Sequence, residues 1–150
     1  MHKAFYVSGL LYHLPSQQIL LHQPIIKNRS ASEWSMLTGL SKNQEKTQDA
    51  FRAIVEKFLG IKINAKKINH VYDYFLNDKS SHYFIVYVEI KTLKKFSPSR
   101  KGNFAWFNFK QAKKLAVNNK TKQDIIVSER VISAKARSLQ PPPPSKKPNL

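Results

Sequence analysis

Cysteine is absent from this 150-residue chain. That excludes a disulfide framework and any thiolate metal site. Glycine is nearly as scarce, at four residues, too few to build a glycine-rich loop that cradles phosphate on backbone amides. No apolar run approaches the roughly 20 residues that span a bilayer, so no transmembrane segment is expected. The opening Met1-His2-Lys3-Ala4-Phe5-Tyr6 makes a poor secretion signal, because polar residues and Gly9 soon interrupt it. A cytoplasmic location is the expectation. Acid is the remaining shortage. Nine Asp and Glu stand against 26 Lys and Arg, for a net charge of +17 and a pI near 10.2. Between Lys91 and Gln123 there is no acid at all. Such a field attracts nucleotides, RNA, other polyanions or an acidic protein partner. Scattered lysine is equally the ordinary makeup of a solvated surface.

What is present suits one compact domain. A hydrophobic fraction of 41% and an aromatic fraction of 11% can supply a core for a 17.3 kDa chain. The composition changes abruptly at residue 139. Pro141 to Pro144 and the lysines after them cannot join a helix or a central strand. The expected division is a domain over 1–138 and a disordered proline- and lysine-rich tail over 139–150.

Residues 4–12 and 18–22 read as a hairpin around a turn at His13-Leu14-Pro15-Ser16. A polar irregular stretch follows over 23–33. Trp34 to Leu37 is a short extended piece that ends at Thr38-Gly39. Thr47 is placed to cap a helix in which Ala50, Phe51, Ile54, Val55, Phe58 and Leu59 recur at helical spacing. Gly60 stands where such a helix stops. Residues 61–76 hold one or two strands, and residues 77–81 a turn. In residues 82–90 Phe84, Val86, Val88 and Ile90 alternate with Tyr83, Ile85 and Tyr87, which predicts a central strand covered on both faces. A basic loop, a short strand at Phe104 to Phe107 and a short helix over 110–117 come next. A last helix begins near Thr121, with Asp124 three residues on in a capping arrangement.

This order of elements resembles the Nudix hydrolase superfamily, whose members share the MutT-like fold. The family's box is a glycine, five residues, a glutamate, seven residues, then Arg-Glu-apolar-x-Glu-Glu-x-Gly-apolar. Gly39 takes the first glycine, Glu45 the first glutamate, Val55 the apolar position, Gly60 the closing glycine and Ile61 the final apolar residue. Trp34, ahead of Leu37-Thr38-Gly39, and Trp106-Phe107 also resemble aromatic positions of the family. The resemblance covers about residues 4–135. It implies an α/β fold, more narrowly α+β, with a Nudix-like mixed sheet sandwiched between helices. It also implies nucleotide-derivative chemistry on Mg²⁺ or Mn²⁺.

The chemical positions of the box depart from the family. Ala53 stands for the arginine, Ile54 for the glutamate after it, and Lys57 and Phe58 for the paired glutamates. In the family those glutamates hold the cation against a diphosphate. Hard divalent ions need oxygen ligands, and the side chains at 54, 57 and 58, on one helical face, supply none. Adding Ile54 and Phe58 to Phe51 and Val55 instead broadens the apolar face of the helix. The box is vestigial at Gly39, Glu45 and Gly60, and no residue is assigned as catalytic.

The expected function is a non-catalytic Nudix-like module, without a cofactor, that binds a nucleotide, RNA or another polyanion. The candidate ligand-binding residues are Lys57, Lys94, Lys95, Arg100, Lys101 and Trp106. Lys57 would act as a point charge for phosphate. One alternative is a divergent hydrolase of nucleoside diphosphate derivatives, with Mg²⁺ or Mn²⁺ held through Glu45 and Glu56. A second is a protein-interaction domain with an acidic partner. The histidines at 2, 13, 22, 70 and 82 have no metal-ligand spacing and read as surface or strand residues.

Overall fold

The computed structural model describes residues 4–25, 33–76, 81–99 and 101–139. His2, Arg100, most of the irregular stretch after β2, residues 77–80 of the expected turn and the tail beyond Leu139 lie outside the described residues. The elements are β1 (Tyr6–His13), β2 (Gln18–Gln23), β3 (Leu37–Leu40), α1 (Thr47–Leu59), a 3-10 turn (Ala65–Lys67), β4 (Ile68–Leu76), β5 (Ser81–Ile90), β6 (Asn103–Asn108), α2 (Phe109–Lys114) and α3 (Asn119–Leu139).

The six strands form one mixed sheet in the order β4-β5-β1-β2-β6, with β3 also paired to β1. β1 runs parallel to β5 along its length. On its other side it is antiparallel to β3 at one end and to β2 at the other. β1 is apolar on both faces because both are covered. On one face Val7, Leu11, Leu20, Val86 and Val88 meet Phe51, Ile54 and Val55 of α1. On the other, Leu10, Ile19, Leu21, Ile85 and Tyr87 meet Ala112, Ile125 and Ile132 of α2 and α3. Fully burying one such side chain contributes roughly 1.5–3 kcal/mol, so the two alternating stripes fix strand register as well as layer order. The α+β sandwich expected from the sequence is the observed one. No helix among the described residues is long and apolar enough to cross a membrane.

Several expected boundaries move. Thr38 and Gly39 continue β3 rather than end it. Gly39 sits opposite Val7 in the ladder, and the Thr38 and Ser8 hydroxyls bond at 2.7 Å. Residues 61–76 hold a single strand. The Asn64 side chain accepts the Lys66 amide and turns the chain through a 3-10 turn first. The residue before α1 is Lys46, with no side-chain capping bond, so Thr47 already belongs to the helix. Gly60 closes α1 as expected, at φ 68° with its amide donating to the Glu56 carbonyl. α3 starts earlier than Thr121, since the Asn118 side chain accepts the Thr121 amide. Asp124 is therefore no cap; it is buried to 1% exposure. The ladder between β4 and β5 slips by a residue between His70 and Tyr72, which places a bulge in the edge strand.

Candidate functional site

α1, β3 and the loop joining them bring the box positions together. Gly39, Glu45, Ala53, Ile54, Lys57 and Phe58 line one cavity of about 260 Å³, which Lys42 also borders. Gly60 and Glu56 are not on its wall; Glu56 is exposed, as its position a half-turn from Phe58 dictates.

Ile54 forms the floor. It is 7% exposed, and a Cβ placed on Gly39 would come within 2.8 Å of its Cγ1. Glycine at 39 is what lets the isoleucine reach the sheet. Phe58, half-buried, leans on His22 with ring centroids 4.9 Å apart and on Phe104 at 6.4 Å. Lys57 is exposed on the rim. The Glu45 carboxylate is the one acid of the wall, and it already accepts the Lys42 amide at 3.0 Å. Among the described residues no three His, Cys, Asp or Glu side chains are grouped so as to hold a metal ion. A single partly used carboxylate does not fit the oxygen-rich shell of Mg²⁺ or Mn²⁺.

The basic loop after β5 is tied down at four points. The Lys91 carbonyl meets His13 Nε2 at 3.2 Å. Trp106 Nε1 donates to the Lys94 carbonyl at 2.8 Å. His22 Nε2 donates to the Lys101 carbonyl, and Lys101 Nζ to the Lys57 carbonyl at the end of α1. That last contact places an ammonium where helix carbonyls lack partners and the dipole favours a cation. Gly102 closes the loop at φ 121°, where a Cβ would lie 2.3 Å from the Gln23 carbonyl oxygen. Lys101 is thus brought beside Lys57. Lys94 holds its ammonium 5.8 Å from the Phe96 ring centre, Lys95 is exposed, and Arg100 is not described. Half-buried Trp106 serves as a strut, its indole N–H occupied.

His22 escaped the sequence reading as anything more than a strand histidine. It is 6% exposed and stacked on Phe104 at 4.9 Å and 18°. Burial holds its pKa below 6.5, outweighing the opposing effect of the Lys101 carbonyl. Between the folded and unfolded pKa values only the unfolded chain takes the proton, so stability falls as pH drops through 6.5. Melting between pH 7.5 and 5 should therefore show a falling Tm that is shallower in His22→Phe. An equal slope in both proteins would remove His22 from that account.

No family model and no curated protein matches the chain by sequence. Solved structures do match. The Nudix domain of Shewanella oneidensis NrtR, in complex with ADP ribose, is 11% identical at a TM-score of 0.68, covering 88% of this chain and 90% of that one. The E. coli ORF135 protein is 13% identical at 0.68, covering 90% and 94%. A Nudix hydrolase described as putative, from Listeria monocytogenes, is 10% identical at 0.67, covering 87% and 95%. The chain has the Nudix fold.

Proposed function

We propose that this Nudix-fold chain is a binding module for a nucleotide, RNA or another polyanion, and that it does not hydrolyse diphosphates by the superfamily's metal mechanism. One observation carries the reading. Two of the three positions that would present carboxylates are packed instead, Ile54 against Gly39 and Phe58 against His22 and Phe104, and the third, Lys57, carries the opposite charge. A cluster of carboxylates there would repel itself without a cation, whereas the apolar replacements join the core around α1. Lys42 and Lys57 then border the cavity with positive charge, and Lys101 adds a third where its Nζ donates to the Lys57 carbonyl. The neighbour with ADP ribose bound supports a nucleotide-like ligand by analogy of fold.

The deciding assay is a panel of nucleoside diphosphate derivatives and capped RNA, with and without Mn²⁺, scored for turnover and for binding. No phosphate product is expected. Binding to RNA should weaken about tenfold or more between 50 and 200 mM salt, since each neutralised phosphate adds to the salt slope. Neither metal should be required. Mn²⁺-dependent turnover that disappears in Glu45→Gln would establish the divergent hydrolase instead.

A further inference from the structure

A second cavity lies on the opposite flank of α1, and at about 450 Å³ it is the larger of the two. Its wall carries Lys46, Arg52 and Lys66, with Asp49 the one acid, and Ile63 and Asn64 fill in between. Arg52 is set by α1, Lys46 by the extended residue that precedes it, and Lys66 by the 3-10 turn that the Asn64 side chain holds in place. The three basic residues line the cavity from two separate segments of chain.

None of them is neutralised from within. The ion pairs among the described residues use Asp73, Glu129 and Asp124, so among these residues Lys46, Arg52 and Lys66 have no carboxylate partner, and Asp49 has no cation. Three like charges facing one concavity repel each other, and an anion between them relieves that repulsion. The Arg52 guanidinium offers a planar fork that matches two phosphate oxygens, and the lysines supply point charges beside it. The cavity also opens on the first turn of α1, which no side chain caps, so backbone amides there are additional donors. Its volume suits a ligand of nucleotide size rather than a bare ion. Asp49 then has a use, as acceptor for a sugar hydroxyl.

We propose that this cavity binds the phosphates of a nucleotide-sized phosphorylated sugar, with Arg52, Lys46 and Lys66 as the anion grip. The proposal rests on the polyanion-binding reading, but it moves the phosphates from the box cavity to the far side of α1.

The test uses the full chain with ADP and inorganic pyrophosphate as probes, followed by amide NMR and calorimetry. ADP should saturate, with the largest amide shifts at 46–49 and 64–66. R52Q and K66Q should each weaken it about tenfold, the loss expected for one charge-assisted hydrogen bond. K114Q, on α2 and outside both cavities, should stay within about twofold, and all three substitutions are at exposed residues, with unchanged melting as the check on folding. Pyrophosphate should bind at the same amides more weakly than ADP, and equal affinity would overturn the sugar contact. Shifts at 39–45 and 53–58 that K57Q abolishes would overturn the inference while preserving the proposed function. ADP silence beside salt-sensitive RNA binding would do the same. Silence of ADP, pyrophosphate and RNA alike would remove both.

Discussion

Ile54→Glu, which restores a box carboxylate, is expected to cost about 3–5 kcal/mol of folding stability, the range for an uncompensated buried charge, and to recruit no Mn²⁺. The new carboxylate would enter a position 7% exposed, against Gly39 and the apolar cluster of α1. Its neighbours include Phe51 and Val55, and the one acid on the same cavity wall, Glu45, already accepts the Lys42 amide. Desolvation would raise its folded pKa above the unfolded value near 4.3. A raised pKa means the deficit is smallest below about pH 4.3 and grows as pH rises through the folded value. Denaturant unfolding at pH 5 and pH 8, with Mn²⁺ calorimetry, checks both halves. A stable variant that binds the ion would show that the box cavity can still hold a cation once a carboxylate is returned to it.

Asp124→Ala should have an effect of the same size, again about 3–5 kcal/mol, because it breaks a buried charged pair from one side. The Asp124 carboxylate accepts the Tyr72 hydroxyl at 2.6 Å, the Tyr74 hydroxyl at 2.9 Å and Lys120 Nζ at 3.1 Å. Lys120 in turn lies 4.2 Å from the Tyr83 ring centre. Alanine would leave two half-buried hydroxyls and an ammonium without the acceptor they share. Burial first, and Asp124 second, hold the Tyr72 and Tyr74 pKa values above 10. Removing the carboxylate should therefore bring forward the onset of tyrosinate absorbance on alkaline titration, though not to the free-tyrosine value. Asp124→Asn keeps an acceptor for the tyrosines and should lose less. Unfolding curves for all three proteins settle the ranking, and an Asp124→Ala melt equal to the parent's would refute the network's importance.

The contrast between these two positions shows what the chain discloses on its own. Ile54 was legible: helical spacing from Phe51 to Phe58 and the stop at Gly60 placed it on the inward face of α1, and the structure puts it there. The alternation along β5 likewise separated Val86 and Val88 from Ile85 and Tyr87, which fall in opposite layers. Asp124 was misread as a helix cap because local spacing was the only signal. Its real partners lie 50 and 52 residues away, on a strand whose facing depends on tertiary contact. Lys46 was missed as the residue preceding α1 because Thr47 offers the better capping chemistry, and the helix forms without using it. Six of the box positions, Gly39, Glu45, Ala53, Ile54, Lys57 and Phe58, line one cavity, while Gly60 does not. The cavity beside Arg52 could not be anticipated, since Lys66 reaches it only by way of the 3-10 turn.

The slipped register at His70 and Tyr72 has an effect on the company this protein keeps. β4 is an outer strand, and a straight outer strand is a template on which further molecules can add backbone hydrogen bonds and grow into fibrils. An extra residue twists that margin and breaks its run of donors and acceptors. Asp73 and the imidazoles of His70 and His82 add polar bulk beside the break. The apolar Phe75 ring near the far end is stacked on His82 at 4.2 Å but stays 57% exposed, so among the described residues it is the one apolar spot left on this margin beside the break. The bulge thus works locally against edge-to-edge growth, apart from the long-range repulsion of a strongly cationic surface.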